Sequence, residues 1–573
     1  MTTAAEACLA KAEWQRVLFA PVPRRLDILK LRPDWPLQSL RLRVHRNHAF
    51  EPVASVLANY LAFAGYALEV GYSAYDDSVS LTTPGPADAE LIWLDFSRLS
   101  AIGGSGKLAF WALDRVEALR SRSDAPILFA DAVGDVHGAA EFNAEVRRLT
   151  ADVPDVHICD LGQLHAQLGP GFFDDRALAA SGTRMSNAAC VHTARLLGSR
   201  WLPAAVAPRI KALVLDLDNT LYDGVLGEDG PDGVRLTAVH AALQQRIVEL
   251  GREGVFVALC SRNEPGDVQE LFAVRTDFPL RPEHVAATEV SWAPKAEAVR
   301  RIAASLRIGT DAILFVDDNP GELASVAAAV PDVHTLYAGP TGEDSVAALE
   351  WYPRLFRWRE NEADALRARD LSSSRAREKL AAATPDKSEY LRSLGVRLQF
   401  TRNVRQEFER LASLSNKTNQ FNLSMNRFSL VDLTRFLAAP ETSAIGIRLS
   451  DRLSDSGIIA VMLTRRDGEA LVVEEFCISC RALGRDLEDV MAAEAISCAA
   501  AELDGIRHLK FRPVVGPRNQ PARDWLARFT DATEPDAEGW VTVAWDRSAA
   551  DELVARTPVI IEHPELQLSE ERA

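Results

Sequence analysis

Two aspartates separated by one residue, Asp216 and Asp218, follow directly on the apolar run Ala212-Leu213-Val214-Leu215. Further along, Ser261, Arg262 and Asn263 follow the apolar run from Val255 to Leu259. Lys295 follows Trp292-Ala293-Pro294, and Asp317-Asp318 closes a third run, Ala312 to Val316. Carboxylates gathered at a strand end need a partner, because buried charge is costly unless it is paired or holds a metal. Mg²⁺ suits them, being hard, oxygen-seeking and commonly shared with phosphate. One aspartate can then attack a phosphoryl group while the other handles protons. An isolated D-x-D reads equally well as a solvated strand end. The serine, the lysine and the second acidic pair tip the reading to phosphoryl transfer.

The elements that must position these residues are legible as three short apolar runs, the pattern of parallel strands covered on both faces. Between Asp229 and Lys295 the sequence includes amphipathic helical pattern, notably from Val239 to Leu250. Strands alternating with helices predict a parallel sheet with right-handed crossovers. In such a sheet Asp216, Asp218, Ser261 and Asp317 converge at the carboxyl edge, where ligands of open α/β sheets bind. The strand is predicted to end at Asp216, with Asp218 on the loop after it. Lys295 is predicted to open a helix.

The order D-x-D-x-T, then Ser, then Lys, then D-D resembles the haloacid dehalogenase (HAD) superfamily of aspartate-nucleophile phosphatases. The resemblance implies Asp216 as nucleophile and Asp218 as general acid/base, with Thr220 supporting the nucleophile loop. Ser261 and Lys295, with Thr220, Arg262 and Asn263, would face the phosphoryl group. Asp216, Asp218 (through its main-chain carbonyl) and Asp317 would hold Mg²⁺, and Asp318 would support them. The sequence between Asp218 and Lys295 carries only small insertions, so no large cap is expected over the site.

The chain has 573 residues, a length for about three domains. Its net charge of -17 argues against unspecific nucleic-acid binding. Seven scattered cysteines point to reduced thiols and a cytoplasmic setting rather than a disulfide framework. Cys477 and Cys480 have metal-ligand spacing, but no second pair follows. No cleavable signal is read at the polar start, and no apolar run reaches the roughly 18 residues of a membrane span.

Before residue 205, strands are predicted at Leu40–Val44, Ala67–Gly71, Glu90–Asp95, Ala125–Ala130 and Val156–Asp160, with a helix from Glu51 to Gly65. The alternation again gives an α/β layer. It resembles an SGNH-hydrolase fold without its nucleophile block, since Asn47 and His48 stand where a serine is sought. A degenerate domain used for binding or scaffolding is the expectation. Gly103-Gly104-Ser105-Gly106-Lys107 fails the spacing of a phosphate loop and reads as a plain loop.

After a charged helical linker, Val396–Phe400, Ala444–Leu449, Gly457–Thr464 and Ala470–Cys477 read as strands, the last three antiparallel, and helices are predicted at 404–414 and 487–503. This order resembles a GNAT acyltransferase. Arg481-x-x-Gly484-Arg485 is a shortened likeness of the turn that presents backbone N–H groups to a pantetheine-type pyrophosphate. The expected fold class is therefore α/β and multidomain. An SGNH-like α/β domain spans 1–205, a HAD-type Rossmann-like parallel sheet 206–345, a helical linker 346–388 and a GNAT-like α+β domain 389–573.

The combination resembles the FkbH-like glyceryltransferase/phosphatase family. The carrying stretches are Asp216–Leu221, Gly224–Gly230, Cys260–Asn263, Asn416-Lys417-Thr418-Asn419-Gln420-Phe421-Asn422 and Ser479–Arg485. The resemblance implies transfer of a glyceryl unit from 1,3-bisphosphoglycerate, with dephosphorylation, through an enzyme thioester to the phosphopantetheine thiol of an acyl carrier protein. That product would feed polyketide-type biosynthesis. Cys260, with a lowered pKa beside Lys295 or Mg²⁺, is the expected acyl carrier, and Cys480 is its rival. Arg481, Gly484, Arg485, Asn416 and Asn419 would meet the carrier or its pantetheine arm. Tyr222-Asp223 departs from the family's usual Trp-Gly and puts an extra carboxylate near the site. A plain Mg²⁺-dependent phosphatase and a non-catalytic carrier-binding scaffold are the competing readings.

Overall fold

The computed structural model describes residues 2–74, 81, 85–134, 138–339, 343–358, 373, 377, 380, 384, 386–483, 485–516, 518–531 and 533–563. The chain forms two compact units, Met1–Glu360 and Asn361–Ala573.

The first unit holds two five-stranded parallel sheets. The first comprises β1 (Gln38–Arg46), β2 (Tyr66–Tyr72), β3 (Ala89–Trp93), β4 (Ile127–Ala130) and β5 (Val156–Cys159), in the order β2-β1-β3-β4-β5. The second comprises β6 (Ala212–Leu215), β7 (Phe256–Ser261), β8 (Ala287–Val290), β9 (Ile313–Asp317) and β10 (His334–Tyr337), in the order β10-β9-β6-β7-β8. Strands β6, β7 and β9 are buried along their whole length, which is why they are unbroken apolar runs. Helices Ala238–Arg252, Pro265–Val274, Lys295–Ser305 and Pro320–Ala329 intervene between successive strands of this sheet. One continuous apolar cluster contains residues from both sheets, from Trp14 to Leu355. The expected first and second domains therefore share a core.

The first helix, Ala4–Leu18, starts on a Thr3–Glu6 capping box. Its Gln15 side chain clasps edge strand β10: Nε2 donates to Tyr337 O at 3.1 Å and Oε1 accepts from Tyr337 N at 3.1 Å. That pairing occupies a main-chain edge otherwise open to strand addition.

The second unit is built on a seven-stranded mixed sheet. Its strands are β11 (Arg397–Arg402), β12 (Thr442–Ser450), β13 (Asp455–Asp467), β14 (Ala470–Ile478), β15 (His508–Phe511), β16 (Val541–Ala544) and β17 (Ile560–Glu562). They lie in the order β16-β15-β14-β13-β12-β11-β17. Neighbours from β11 to β14 run antiparallel, and β14 and β15 run parallel. Most of the expected linker 346–388 lies outside the described residues. Among the described residues, no helix is long and apolar enough to cross a membrane.

Candidate active site

Asp216 follows the last residue of β6, and Asp317 ends the neighbouring strand β9. The order of the second sheet reverses between these two strands, so the acids straddle its switch point, where a crevice opens at the carboxyl ends. Lys295 is the first residue of helix Lys295–Ser305. A cation there opposes the helix dipole. Two carboxylates reverse that penalty: Nζ lies 2.8 Å from Asp216 Oδ1 and 2.7 Å from Asp317 Oδ2. Burial alone would push the Lys295 ammonium down, but the pair of acids holds its pKa above the ordinary lysine value.

One lysine does not neutralise the cluster. Carboxylate oxygens of Asp216, Asp317 and Asp318 lie within 4.8 Å of one another. Burial, with Lys295 opposing it and Asp317 adding to it, pushes Asp216 up to about 6. Burial and then Asp216 push Asp318 up to about 6, and burial raises Asp317 as well. Three hard oxygen donors with excess negative charge fit Mg²⁺. The triplet that converges is Asp216, Asp317 and Asp318. The Asp218 carboxylate is not in it.

Asp218 is held by three donors. Tyr222 Oη donates to Oδ1 at 2.7 Å, Leu226 N to Oδ1 at 2.9 Å, and Asn263 Nδ2 to Oδ2 at 2.9 Å. Asn263 Nδ2 also lies 3.0 Å from Ser261 Oγ, which links the ends of the two loops. The loop carrying Asp218 curls on itself. Asn219 takes a left-handed φ of 53°, and its Oδ1 accepts from Gly224 N at 3.1 Å. Gly224 has φ 119°, and a Cβ there would meet Asp229 Oδ2 at 2.8 Å, so only glycine fits. Fully buried Gln244 fastens the loop from below: Nε2 donates to Leu221 O at 2.8 Å, and Oε1 accepts from Leu280 N at 3.1 Å. Sequence reasoning missed Tyr222 as a partner of Asp218 and missed Gln244 altogether. A glutamine on the buried face of an otherwise amphipathic helix was the available signal.

The remaining expected residues divide. Ser261 is buried at the end of β7 beside Asn263. Thr220 is buried in the loop after β6, and its hydroxyl has no partner among the described residues. Arg262 pairs outward with Glu322 at 3.0 Å. Asp223 pairs with Arg235, so the additional carboxylate is matched by a cation.

Cys260 departs from expectation. It lies within β7, 1% exposed, and burial pushes its thiol up to about 12 despite Lys295. The lowered pKa expected of a nucleophile is reversed, because desolvation outweighs the nearby cation.

In the second unit Cys480 is half-buried on the turn after β14. The arginines expected to face pantetheine make internal bonds instead. Arg481 Nη1 donates to Ser456 O at 2.7 Å, and Arg485 lies 3.2 Å from Asp451, which also binds Arg377 at 2.7 Å. Gly484 lies outside the described residues. Asn416 Nδ2 donates to Phe428 O at 2.6 Å, and Asn419 Oδ1 accepts from Arg427 at 2.7 Å. The following segment adds to β14, with Ile478 N donating to Phe421 O at 2.9 Å and Leu423 N to Phe476 O at 3.1 Å. The polar run is thus built into the unit as structure.

No family model and no curated protein matches the chain. Among solved structures it is similar to the N-terminal part of protein BF1531 from Bacteroides fragilis, which contains a phosphatase domain complexed with Mg. The TM-score is 0.46 at 21% identity, over 60% of this chain and 99% of that one. A second similarity is to a GCN5-related glucosamine N-acetyltransferase region of a fungal multi-domain GH3 beta-N-acetylglucosaminidase. Its TM-score is 0.18 at 11% identity, over 92% of this chain and 67% of that one.

Proposed function

We propose that the second sheet of the first unit is a Mg²⁺-dependent phosphoryl-transfer centre with Asp216 as nucleophile. The observation that carries this reading is the Lys295 ammonium bridging Asp216 and Asp317 at the switch point. An Asp216 carboxylate oxygen attacks phosphorus, the bond from phosphorus to the leaving oxygen breaks, and an aspartyl-phosphate forms. Lys295 offsets the negative charge that gathers as the phosphoryl group arrives. Three donors fix the Asp218 carboxylate in place as the proton acceptor of this scheme. It takes a proton from the water that then attacks the aspartyl-phosphate, which releases inorganic phosphate and restores Asp216. Asp216, Asp317 and Asp318 would hold Mg²⁺, which supplies charge neutralisation for a phosphate dianion in a site already rich in carboxylates.

The resemblance to FkbH-like proteins extends this to a substrate. On that reading the donor is 1,3-bisphosphoglycerate, and the glyceryl unit passes to the phosphopantetheine thiol of an acyl carrier protein. The burial of Cys260 leaves Cys480 as the better candidate for an enzyme thioester. Intact-protein mass spectrometry after incubation with 1,3-bisphosphoglycerate and Mg²⁺ tests both levels. A thiol-labile glyceryl adduct lost in Cys480→Ala supports acyl transfer. Phosphate release without any adduct leaves a phosphatase. Undiminished phosphate release by Asp216→Asn would overturn the nucleophile.

A further inference from the structure

The first sheet has its own switch point. Its order reverses between β1 and β3, and a pocket opens at the carboxyl ends of β1, β3 and β4. Ligand pockets of α/β sheets favour this position. The loops after β1 and β3 are zipped together there: Asn47 Nδ2 donates to Asp95 O at 3.0 Å, and Asn47 Oδ1 accepts from Asp95 N at 2.7 Å. The pocket is preformed by these bonds.

Its walls are apolar and flat. Trp93, Phe96, Phe173 and Met185 line it, and the His48 ring stacks on Trp93 with centroids 5.2 Å apart and planes at 16°. The charges around it are matched internally. Arg147 binds Asp131 at 2.8 Å, and Asp131 also accepts from Leu161 N at 2.8 Å and Gly162 N at 3.1 Å. Arg98 lies 3.4 Å from Asp95, and Arg184 binds Asp175 at 3.0 Å. Among the described residues a charged ligand would lose its hydration without gaining an uncommitted counter-charge.

Two hydrogen-bonding groups are unspent. Thr183 Oγ1 accepts from Met185 N at 3.3 Å and lies 3.0 Å from His48 Nδ1. Taking the Thr183 hydroxyl as donor to Nδ1, its acceptor in reach, puts the imidazole hydrogen on Nε2. His48 Nε2 has no partner among the described residues. The indole N–H of Trp93, 2% exposed, is buried without an acceptor among them. Both are donors, so the complementary ligand brings an acceptor oxygen.

We propose that this pocket binds an uncharged carbonyl compound with a flat apolar body, an amide, ester or thioester, and that His48 Nε2–H donates to its carbonyl oxygen. The site is separate from the carboxylate cluster and does not depend on the reading given to that cluster.

Saturation-transfer NMR on the full chain tests it with three probes of matched shape: N-benzylacetamide, benzoate and benzylammonium, each at about 5 mM, a concentration suited to fragments. Transfer to N-benzylacetamide alone is the expected result. His48→Phe, which keeps the ring and removes the donor, should weaken the amide about tenfold, the usual weight of one buried hydrogen bond. Val133→Trp, filling the pocket from its wall, should abolish transfer. Far-UV circular dichroism and the urea unfolding midpoint report that each variant is folded. No transfer to the amide, equal transfer to benzoate, or unaltered affinity in the variant that folds would overturn the proposal.

Discussion

The two parallel sheets of the first unit solve the same topological problem with opposite chemistry. Each reverses its strand order once, and each places side chains at the crevice this creates. At the second sheet the crevice is filled by Asp216, Asp317, Asp318 and Lys295. At the first it is lined by Trp93, Phe96 and Phe173 beside a neutral imidazole. Topology therefore says where a ligand binds, and the residues just beyond the strand ends say what it is. An excess of buried negative charge calls for a cation. An aromatic slot whose charges are already matched calls for a neutral body.

The contrast can be broken most severely at Lys295. Lys295→Met should remove phosphate release almost entirely, a loss on the order of a thousandfold. It should also lower stability by about 3–5 kcal/mol, since it leaves buried carboxylates facing one another. Urea unfolding and phosphate release are the measurements, and amide binding at the first sheet should persist wherever the variant is folded.

Acid acts with opposite sign on the buried histidines and on the carboxylate crevice. Burial holds His48 down at about 4 and His334, on β10, down at about 3, both below the ordinary 6.5. The unfolded chain takes up these protons first, so stability falls as pH drops through 6.5 toward the folded values. The histidines should cost on the order of 3 kcal/mol between pH 7 and pH 5. Asp216 and Asp318, raised to about 6, act oppositely: the folded state protonates first, so their contribution grows as pH falls through 6 and is lost as pH rises. Urea midpoints in EDTA should fall less steeply with acid in His48→Gln and more steeply in Asp318→Asn.

A smaller effect tests the scaffold under the acidic crevice. Gln244→Leu strands one buried carbonyl and one buried amide and should cost about 2 kcal/mol, read as a lower urea midpoint. The smallest is Tyr222→Phe. Losing one of three donors to Asp218 should slow phosphate release about tenfold and move the pH–rate profile, with Mg²⁺ affinity unchanged, because that carboxylate lies outside the acidic triplet.

Much of the acidic crevice was legible in advance. The runs before Asp216 and Asp317 are apolar because their strands are covered on both faces, and Lys295 after Ala293-Pro294 marks a helix start as written. Strands β8 and β10 were not read, being short edge strands with mixed burial. Tyr222 and the His48–Thr183 pair were unreadable for another reason. Their partners are set by how loops fold back across the sheet, and nothing in local spacing records that. Cys260 misled because a thiol expected near Lys295 at the sheet edge suggests activation, whereas its place inside a buried strand decides the opposite.

The clasp of Gln15 on Tyr337 has a consequence for how the protein is made. The helix that closes the edge of the second sheet is made well before its seat, a strand more than three hundred residues later. Until that strand arrives, the early helix has no partner for its amide. Once the strand arrives, any chain lacking the helix presents a bare ribbon to its neighbours. The helix thus reaches across most of the first unit's sequence to cover a sheet edge that would otherwise be open to strand addition.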